Sequence, residues 1–257
     1  MSVIEPLKIS VVTPNYNQVD FLESTLRSVL EQDYPNLEYI VIDGGSTDGS
    51  ADLIRSYQDQ LSYWVSEPDK GMYHAINKGF AKATGDIMCW INSDDVLWPG
   101  ALRYVNELFA SRPELNWLQG YPSVIDEQGA LLYQRPPVAT RAYFYKMRFL
   151  GTFEFIQQES TFWRRSLWEQ AGAHLDMSYS LAADFELWMR FFNHQTLYCS
   201  RQQLAAFRKR DGQQSADQST YLQQAQRAVR THKAKLSLFD SIKMSLTKGD
   251  SNIQWID

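Results

Sequence analysis

The sequence has few cysteines and no long hydrophobic run, and both shortages exclude classes of protein. Its 257 residues contain two cysteines, Cys89 and Cys199, each within an apolar segment. Their spacing indicates neither a disulfide framework nor a zinc site, so we expect two buried free thiols. No stretch approaches the roughly 18 consecutive apolar residues that a membrane-spanning helix requires. A disulfide-rich scaffold and a membrane-spanning helical protein are therefore excluded.

A secretory leader and a dominant charge of one sign are also absent. Residues 1–8 contain Glu5 and Pro6 and no apolar core, so we expect a cytoplasmic protein. The net charge is −5, and the 25 lysines and arginines are spread along the chain. A nucleic-acid partner is not expected, because such proteins concentrate basic residues on one surface. The 44% hydrophobic content is enough for a sizeable buried core.

The first 120 residues alternate between short apolar runs and helical patterns. Strands are predicted at residues 9–13, 39–42, 61–65 and 86–91, and helices at 21–30, 72–83 and 99–110. Asp20 is predicted to cap the first of these helices, and Pro99 to occupy the first turn of the last one. The alternation predicts an α/β fold with a mostly parallel, Rossmann-like sheet flanked by helices. Ligands then bind at the carboxyl ends of the strands.

The rhythm changes after residue 120 to an irregular α+β pattern. A hairpin turn is predicted at residues 127–129, and helices at 164–171 and 183–192. We therefore divide the chain into a nucleotide-sugar-binding half (1–120), an acceptor-binding and catalytic half of the same domain (121–215) and a helical tail (216–257).

Three acidic motifs stand where chemistry is expected, and each also has a structural interpretation. Asp94 and Asp95 follow an apolar strand, where paired carboxylates suit a hard divalent cation with phosphate oxygens, or a turn that caps the next helix. The loop at 43–48 suits a base or ribose, or a simple βα turn. Asp184 opens an amphipathic helix, as a cap or as a general base.

Taken together, these segments resemble the family 2 glycosyltransferases of the GT-A fold, from about residue 9 to residue 215. The matching strings follow one another in the family's order and spacing. They are SVVTPNYN (10–17), IDGGSTDG (42–49), SEPDKGMY (66–73), AINKG through ATGD (75–86), NSDD (92–95) and ADFELW (183–188).

The resemblance implies roles for individual residues and a donor that is a nucleoside-diphosphate sugar. Nucleotide binding would involve Thr13, Pro14, Tyr16, Asp43, Gly44, Ser46, Asp69, Asn77 and Asp94. Asp95 would ligate Mg²⁺ or Mn²⁺ on the diphosphate, and Gln158 and Glu159 would lie near a saccharide or lipid-linked acceptor. Asp184 matches the family's catalytic base in an inverting displacement, with Glu159 next in line if Asp184 does not serve.

The sequence departs from the family pattern in three places. His74 stands where relatives usually carry an aspartate, and it is either a donor-selecting residue or a satisfied histidine. Gly44 replaces a second acidic residue, so that a base contact must come from Asp43 or the backbone. A histidine is missing after residue 207, where Arg208 or Arg210 is expected to contact the diphosphate instead.

Two other functions compete with the glycosyltransferase interpretation, and the basic tail offers one further partner. A sugar-phosphate nucleotidyltransferase needs a glycine-rich basic loop after the first strand, and residues 13–17 contain neither glycine nor lysine. A non-catalytic nucleotide-sugar-binding module needs no base, which Asp184 and Asp95 argue against. The basic segment 227–248 either packs on the catalytic domain or rests on an anionic membrane surface. The expected function is sugar transfer in cell-surface polysaccharide synthesis.

Overall fold

The strands form two sheets. The computed structural model describes residues 6–210, 212–213, 217–236 and 253–257. Within them the strands, in chain order, are Ile9–Asn15 (β1), Leu37–Asp43 (β2), Tyr63–Ser66 (β3), Ile87–Trp90 (β4), Val96–Leu97 (β5), Trp117–Gln119 (β6), Ser123–Ile125 (β7), Leu131–Gln134 (β8), Thr161–Arg164 (β9), Tyr198–Cys199 (β10), Ala205–Arg208 (β11) and Gln254–Trp255 (β12).

Helices flank these sheets. They are Val19–Leu30 (α1), Ser50–Ser56 (α2), Met72–Lys82 (α3), Ala101–Ser111 (α4), Arg141–Tyr145 (α5), Phe149–Thr152 (α6), Arg165–Gln170 (α7), Ala183–Phe191 (α8) and Gln218–Lys233 (α9). Two 3₁₀ turns lie at Gln58–Gln60 and Gln158–Ser160. Among the described residues, no helix is both long and apolar enough to cross a bilayer.

The large sheet has the order β12-β10-β6-β9-β4-β1-β2-β3. Strand β9 is antiparallel to both of its neighbours, β4 and β6, and the other adjacent pairs are parallel. The predicted mostly parallel α/β sheet is therefore confirmed. Because β9 runs in the opposite direction, its first residues lie at the edge where β1, β2 and β4 end, and the 3₁₀ turn that precedes it reaches that edge.

The small sheet has the order β5-β11-β7-β8. The predicted hairpin turn joins β7 to β8, with Gly129 at φ 88°. Strand β11 pairs with β5, which follows β4 directly. This pairing brings the end of β11, at Arg208, against the loop that contains Asp94 and Asp95.

A cluster of tryptophans joins α8 to the large sheet. The rings of Trp90 and Trp188 stack with their centroids 5.9 Å apart, and Trp163 contacts both rings edge-on. All three side chains are fully buried. Each aromatic contact contributes about 0.5–1.5 kcal/mol beyond the burial of its area, so the cluster holds α8 firmly at the end of β4. The two cysteines are also buried and free, as predicted.

Three helices begin at residues other than the predicted ones, and for α7 the difference is a single residue. Helix α1 starts at Val19, and its first N–H group bonds to the carboxylate of Asp48 at 2.9 Å, so Asp20 is not its cap. The same carboxylate accepts from Ser50 N at the start of α2. Helix α4 starts at Ala101 after Gly100, whose φ is 80°, and Pro99 lies before the helix. Periodicity could not reveal a cap that comes from a distant loop.

The described parts of the C-terminal segment, residues 217–236 and 253–257, pack against the rest of the described chain. Helix α9 packs against α8, and β12 extends the large sheet beyond β10. The large sheet thus takes strands from all three predicted segments. The tail residues proposed for membrane contact fall mostly at 237–252, outside the described residues; they include Leu238, Phe239, Ile242, Lys243, Met244, Leu246 and Lys248.

Candidate active site

A cavity of about 860 Å³ opens at the carboxyl ends of the parallel strands, within the size range of small-ligand sites. It is lined by nine of the predicted site residues: Pro14, Tyr16, Gly44, Asp69, Asp94, Gln158, Glu159, Asp184 and Arg210. Six others lie behind its walls: Thr13, Asp43, Ser46, Asn77, Asp95 and Arg208. We call the loops that follow β1, β2 and β4 the strand-end wall. The helical wall consists of Gln158, Glu159 and the lining residues of α3, α8 and α9.

Asp43 is the buried anchor of the strand-end wall. Its carboxylate accepts hydrogen bonds from Asn15 Nδ2 at 2.7 Å and from the backbone N–H of Ser46 at 2.9 Å, and the hydroxyls of Ser46 and Ser66 add two more. Burial raises the pKa of Asp43, but these hydrogen bonds outweigh burial and leave the pKa below its usual value. Asp43 therefore shapes the loop and does not face a ligand.

Three more predicted nucleotide-binding residues also support the walls from behind. The hydroxyl of Thr13 lies 3.0 Å from that of Tyr39, and Thr13 is fully buried. Asn77 bonds both the N–H and the carbonyl of Leu175, at 2.8 and 3.0 Å. Ser46 is held between Asp43 and Asn15. Their polar groups are used within the protein, so their contribution to a ligand is indirect.

Gly44 is required by the close approach of Asp69. A Cβ atom at Gly44 would lie 2.8 Å from Asp69 Oδ2 and 3.3 Å from the ring of Tyr16. The side chain of Tyr16 is 61% exposed and faces the cavity. Asp69 and Tyr16 are therefore further candidates for the base contact that the sequence assigns to Asp43 or the backbone.

The adjacent aspartates Asp94 and Asp95 point in different directions. Asp95 is fully buried, and its carboxylate accepts from the N–H of Arg208 at 2.8 Å and from Asn92 Nδ2 at 3.2 Å. Burial, followed by the charges of Glu159 and Asp94, raises the pKa of Asp95 well above its usual value. Asp94 lines the cavity. Asp95 thus lies behind the wall and Asp94 is open to the cavity, so Asp94 is a second candidate for the metal role predicted for Asp95.

The two arginines after β11 also divide their roles. The guanidinium of Arg208 donates to the carbonyl oxygens of Asp94, Asp126 and Glu127, at 2.6 to 3.1 Å. It therefore braces the loop and does not line the cavity. Arg210 does line it, and its Nε lies 2.8 Å from Asp94 Oδ2. Of the two predicted diphosphate contacts, the geometry supports Arg210.

Asp184 is a partly buried carboxylate on the helical wall, at the start of α8. The hydroxyl of Tyr221 donates to its Oδ2 at 3.1 Å, and the hydroxyl of Tyr73 lies 3.3 Å from its Oδ1. Burial raises the pKa of Asp184 to about 6, although hydrogen bonds from Tyr221 and Tyr73 oppose the shift. A carboxylate with a pKa near 6 is ionised at neutral pH and still basic enough to accept a proton.

Glu159 is the second acidic residue of the helical wall. The turn that carries it is fixed by Gln158, whose Nε2 donates to the carbonyl of Trp90 at 2.6 Å. Burial, with the nearby charges of Asp184 and Asp94, raises the pKa of Glu159 to about 7. Glu159 lies close enough to Asp184 for their charges to interact, and Gln158 lines the same cavity.

A divalent cation would find few protein ligands at the cavity. Within the described ranges, no group of three or more His, Cys, Asp or Glu side chains is placed to hold a metal ion. Mg²⁺ is commonly held by one or two carboxylates together with substrate phosphates. Asp94, which faces the cavity, fits that mode. His74 does not line the cavity, and its Nδ1 accepts from the N–H of Lys70 at 3.2 Å.

Two tyrosines were not anticipated from the sequence. Tyr73 lies two residues after Gly71, in a string that had been matched to the family but given no catalytic role. Tyr221 belongs to the segment that the sequence predicts to be a helical tail (216–257). Only the packing of α9 on α8 brings its hydroxyl to Asp184, and no local pattern signals this.

Comparison with known proteins identifies the same family as the sequence motifs. The family model described as Glycosyl transferase family 2 matches residues 10–171. An uncharacterised glycosyltransferase of Mycobacterium tuberculosis is 32% identical over 184 residues, which are 71% of this chain and 68% of the relative. A putative teichuronic acid biosynthesis glycosyltransferase of Bacillus subtilis, TuaG, is 37% identical over 90 residues, covering 34% of this chain and 36% of TuaG.

Solved structures show the same fold at low sequence identity. S. aureus TarS in complex with UDP-GlcNAc superposes with a TM-score of 0.72 at 17% identity, covering 92% of this chain and 69% of that one. The mannosyltransferase PcManGT from Pyrobaculum calidifontis, in complex with GDP-Man and Mn²⁺, gives a TM-score of 0.60 at 19% identity, covering 95% and 79%. The sheet and these matches show that this chain belongs to glycosyltransferase family 2 and has the GT-A fold.

Proposed function

We propose that the protein transfers a sugar, with inversion, from a nucleoside-diphosphate sugar to a hydroxyl of a saccharide or lipid-linked saccharide. The observation that carries the proposal is the placement of Asp184. A partly buried carboxylate with a pKa of about 6 lines the same cavity as the pair of Asp94 and Arg210. One group suits proton removal, and the other pair suits a charged leaving group.

The donor assignment is supported by the ligands of the structural neighbours. TarS was solved with UDP-GlcNAc, and PcManGT with GDP-Man and Mn²⁺. In this chain Tyr16, Pro14 and Asp69 are available to a base and ribose, whereas Arg210 and Asp94 are available to a diphosphate. The TuaG relative, by its name, supports an acceptor in cell-surface polysaccharide synthesis.

The proposed reaction is a single displacement at the anomeric carbon. Asp184 accepts the proton of the acceptor hydroxyl while that oxygen forms the new bond, and the bond from the anomeric carbon to the diphosphate breaks. The leaving nucleoside diphosphate keeps the electron pair, and Arg210 stabilises the added charge. A divalent cation held by Asp94 and the diphosphate would supply further positive charge. Attack from the face opposite the leaving group inverts the configuration.

The test is a donor screen that reads released nucleoside diphosphate, with and without saccharide acceptors and with Mg²⁺, Mn²⁺ or a chelator. We expect turnover with one donor that depends on an acceptor, and a product whose anomeric proton coupling shows inversion. Tight nucleotide-sugar binding without turnover across the screen would favour the non-catalytic binding module. A product with retained configuration would reject the single displacement.

The metal assignment is tested by comparing two neighbouring substitutions. We expect Asp94→Asn to weaken metal-dependent binding of a nucleoside diphosphate by at least about tenfold, because an amide cannot replace a carboxylate opposite a divalent cation. Asp95→Asn is the matched control and should change this affinity less, since Asp95 lies behind the wall. Titration calorimetry with and without Mn²⁺ measures both. The opposite ranking would return the metal role to Asp95.

A further inference from the structure

We propose that Tyr221, on the C-terminal helix α9, is a positioning residue for the general base Asp184. The inference rests on the proposed function, in which Asp184 accepts the proton. Tyr221 lies 50 residues beyond residue 171, where the match to the family model ends. In this proposal α9 contributes a side chain to the active site.

The two tyrosine hydroxyls at Asp184 are not equivalent. A phenol has one proton to donate. The hydroxyl of Tyr73 lies 2.8 Å from the carbonyl oxygen of Leu181 and 3.3 Å from Asp184 Oδ1, so its proton is directed mainly to the carbonyl. The hydroxyl of Tyr221 donates to Asp184 Oδ2 at 3.1 Å. Tyr221 is therefore the stronger hydrogen-bond donor to the base.

Helix α9 is attached to the segment that carries Asp184 at several points. Gln224 Oε1 accepts from the N–H groups of Leu181 and Ala182, at 2.9 and 3.1 Å. One turn on, the guanidinium of Arg227 donates to the carbonyl of Ser178 at 2.7 Å. These bonds fix the loop immediately before α8, so the position of Tyr221 and that of Asp184 are set together.

A buried hydrogen bond joins the two helices further along. His232 Nε2 lies 3.0 Å from Glu186 Oε1, and Glu186 also pairs with Arg190 at 2.8 Å. Glu186 thus points away from the cavity, as its spacing from Asp184 on the helix requires. The contact is buried on both sides. It makes sliding of α9 along α8 costly, which keeps the hydroxyl of Tyr221 in register with Asp184.

The ring of Tyr221 is held as well as its hydroxyl. It meets the ring of Phe155 edge-on, with the centroids 4.8 Å apart. Replacing Tyr221 by phenylalanine keeps this ring contact and removes the hydroxyl alone. The substitution therefore separates the hydrogen bond from the packing.

The expected effect is on the acid limb of the pH profile. A hydrogen bond that favours the ionised carboxylate lowers its pKa, so losing the bond raises the pKa of Asp184 above its value of about 6. The base is then protonated over a wider range at low pH. Glu159, which interacts with Asp184 and has a pKa of about 7, is present in both proteins, so the difference between their acid limbs reports on Asp184. We expect Tyr221→Phe to move the acid limb of kcat/KM upward by about one pH unit. The KM for the donor should stay unchanged.

The experiment measures full pH profiles for the wild type, Tyr221→Phe, Asp184→Asn and the matched control Tyr34→Phe. Tyr34→Phe removes another buried tyrosine hydroxyl, which bonds the carbonyl of Leu7 away from the cavity, and it should leave the limb in place. Circular dichroism melting checks that each variant folds.

Each outcome bears on one of the two proposals. An upward shift of the limb in Tyr221→Phe alone supports the positioning role. An unmoved limb overturns that role, whether the rate is unchanged or lower at every pH, because a merely structural residue would scale the profile without shifting it. Wild-type turnover in Asp184→Asn, by contrast, would remove the general base itself and with it the proposed mechanism.

Discussion

The two walls of the cavity shift the pKa of an aspartate in opposite directions. On the strand-end wall, Asp43 is surrounded by hydroxyl and N–H donors, and its pKa is held below the usual value. On the helical wall, Asp184 is partly buried with two tyrosine hydroxyls nearby, and desolvation raises its pKa to about 6. The same type of side chain therefore has a pKa well below neutral in one place and a pKa closer to neutral in the other.

The difference follows from what each wall is made of. The strand-end wall consists of loops whose backbone N–H groups and short polar side chains converge on one carboxylate. The helical wall consists of helices and rings, and the donors near Asp184, namely Tyr221, Tyr73 and the first N–H groups of α8, do not outweigh its desolvation. A carboxylate on that wall keeps part of its desolvation penalty, which makes it useful as a base.

The largest effect is expected from removing the base. Asp184→Asn keeps the size of the side chain, and turnover should fall by about 10²- to 10⁴-fold, the usual contribution of general acid-base catalysis. Donor affinity, measured by calorimetry, should stay near that of the wild type. The wild-type rate should itself fall as the pH drops below about 6, because protonation of Asp184 removes the acceptor. A near-wild-type rate in Asp184→Asn, with chemistry rate-limiting, would pass the role to Glu159.

A second prediction sets the stabilities of the two walls against each other. The raised pKa of Asp184 means that ionisation costs the folded state stability above the unfolded pKa of about 3.9. That cost is complete above about pH 6. Asp184→Asn should therefore raise the free energy of unfolding at pH 8 by on the order of 2 kcal/mol, with little change near pH 4.

Asp43→Asn should do the reverse. The depressed pKa of Asp43 contributes stability that is present above its unfolded pKa and is lost as the pH falls through the folded pKa. An amide would also turn a donor toward the donors that now surround the carboxylate. We expect a loss of about 1–3 kcal/mol at pH 7. Urea unfolding of the wild type and of both variants, at pH 4 and at pH 7 to 8, measures these changes in the free energy of unfolding. A change of the same sign in both variants at pH 7 to 8 would contradict the comparison.

The smallest effect is expected within the strand-end wall itself. Gly44→Ala places a Cβ atom against Asp69 and Tyr16, whose side chains must move to make room. We expect nucleoside diphosphate affinity to fall by about three- to tenfold, with stability changed by less than about 1 kcal/mol. Gly151→Ala is the matched control, since a Cβ there meets nothing within 4 Å. Unchanged affinity in Gly44→Ala would remove Asp69 and Tyr16 from the base site.

The strand-end loops were predictable because each depends on residues that are neighbours in sequence. An apolar run followed by polar residues indicates where a strand ends, and in a parallel sheet those ends share one edge. Which of two adjacent side chains faces the ligand was not predictable in the same way. Asp95 is drawn inward by the N–H of Arg208, on a strand more than 100 residues away, and this leaves Asp94 at the cavity.

By itself, the sequence determined the α/β class, the family and the loops that line one side of the cavity, because strand and helix periodicities and the family strings are local. Tertiary structure alone decided that the antiparallel strand β9 brings Glu159 to this edge and that α9 brings Tyr221 to Asp184. It also decided that desolvation raises the pKa of Asp184, whereas hydrogen bonds lower that of Asp43. Those outcomes depend on burial and on contacts between distant segments, and local patterns do not carry that information.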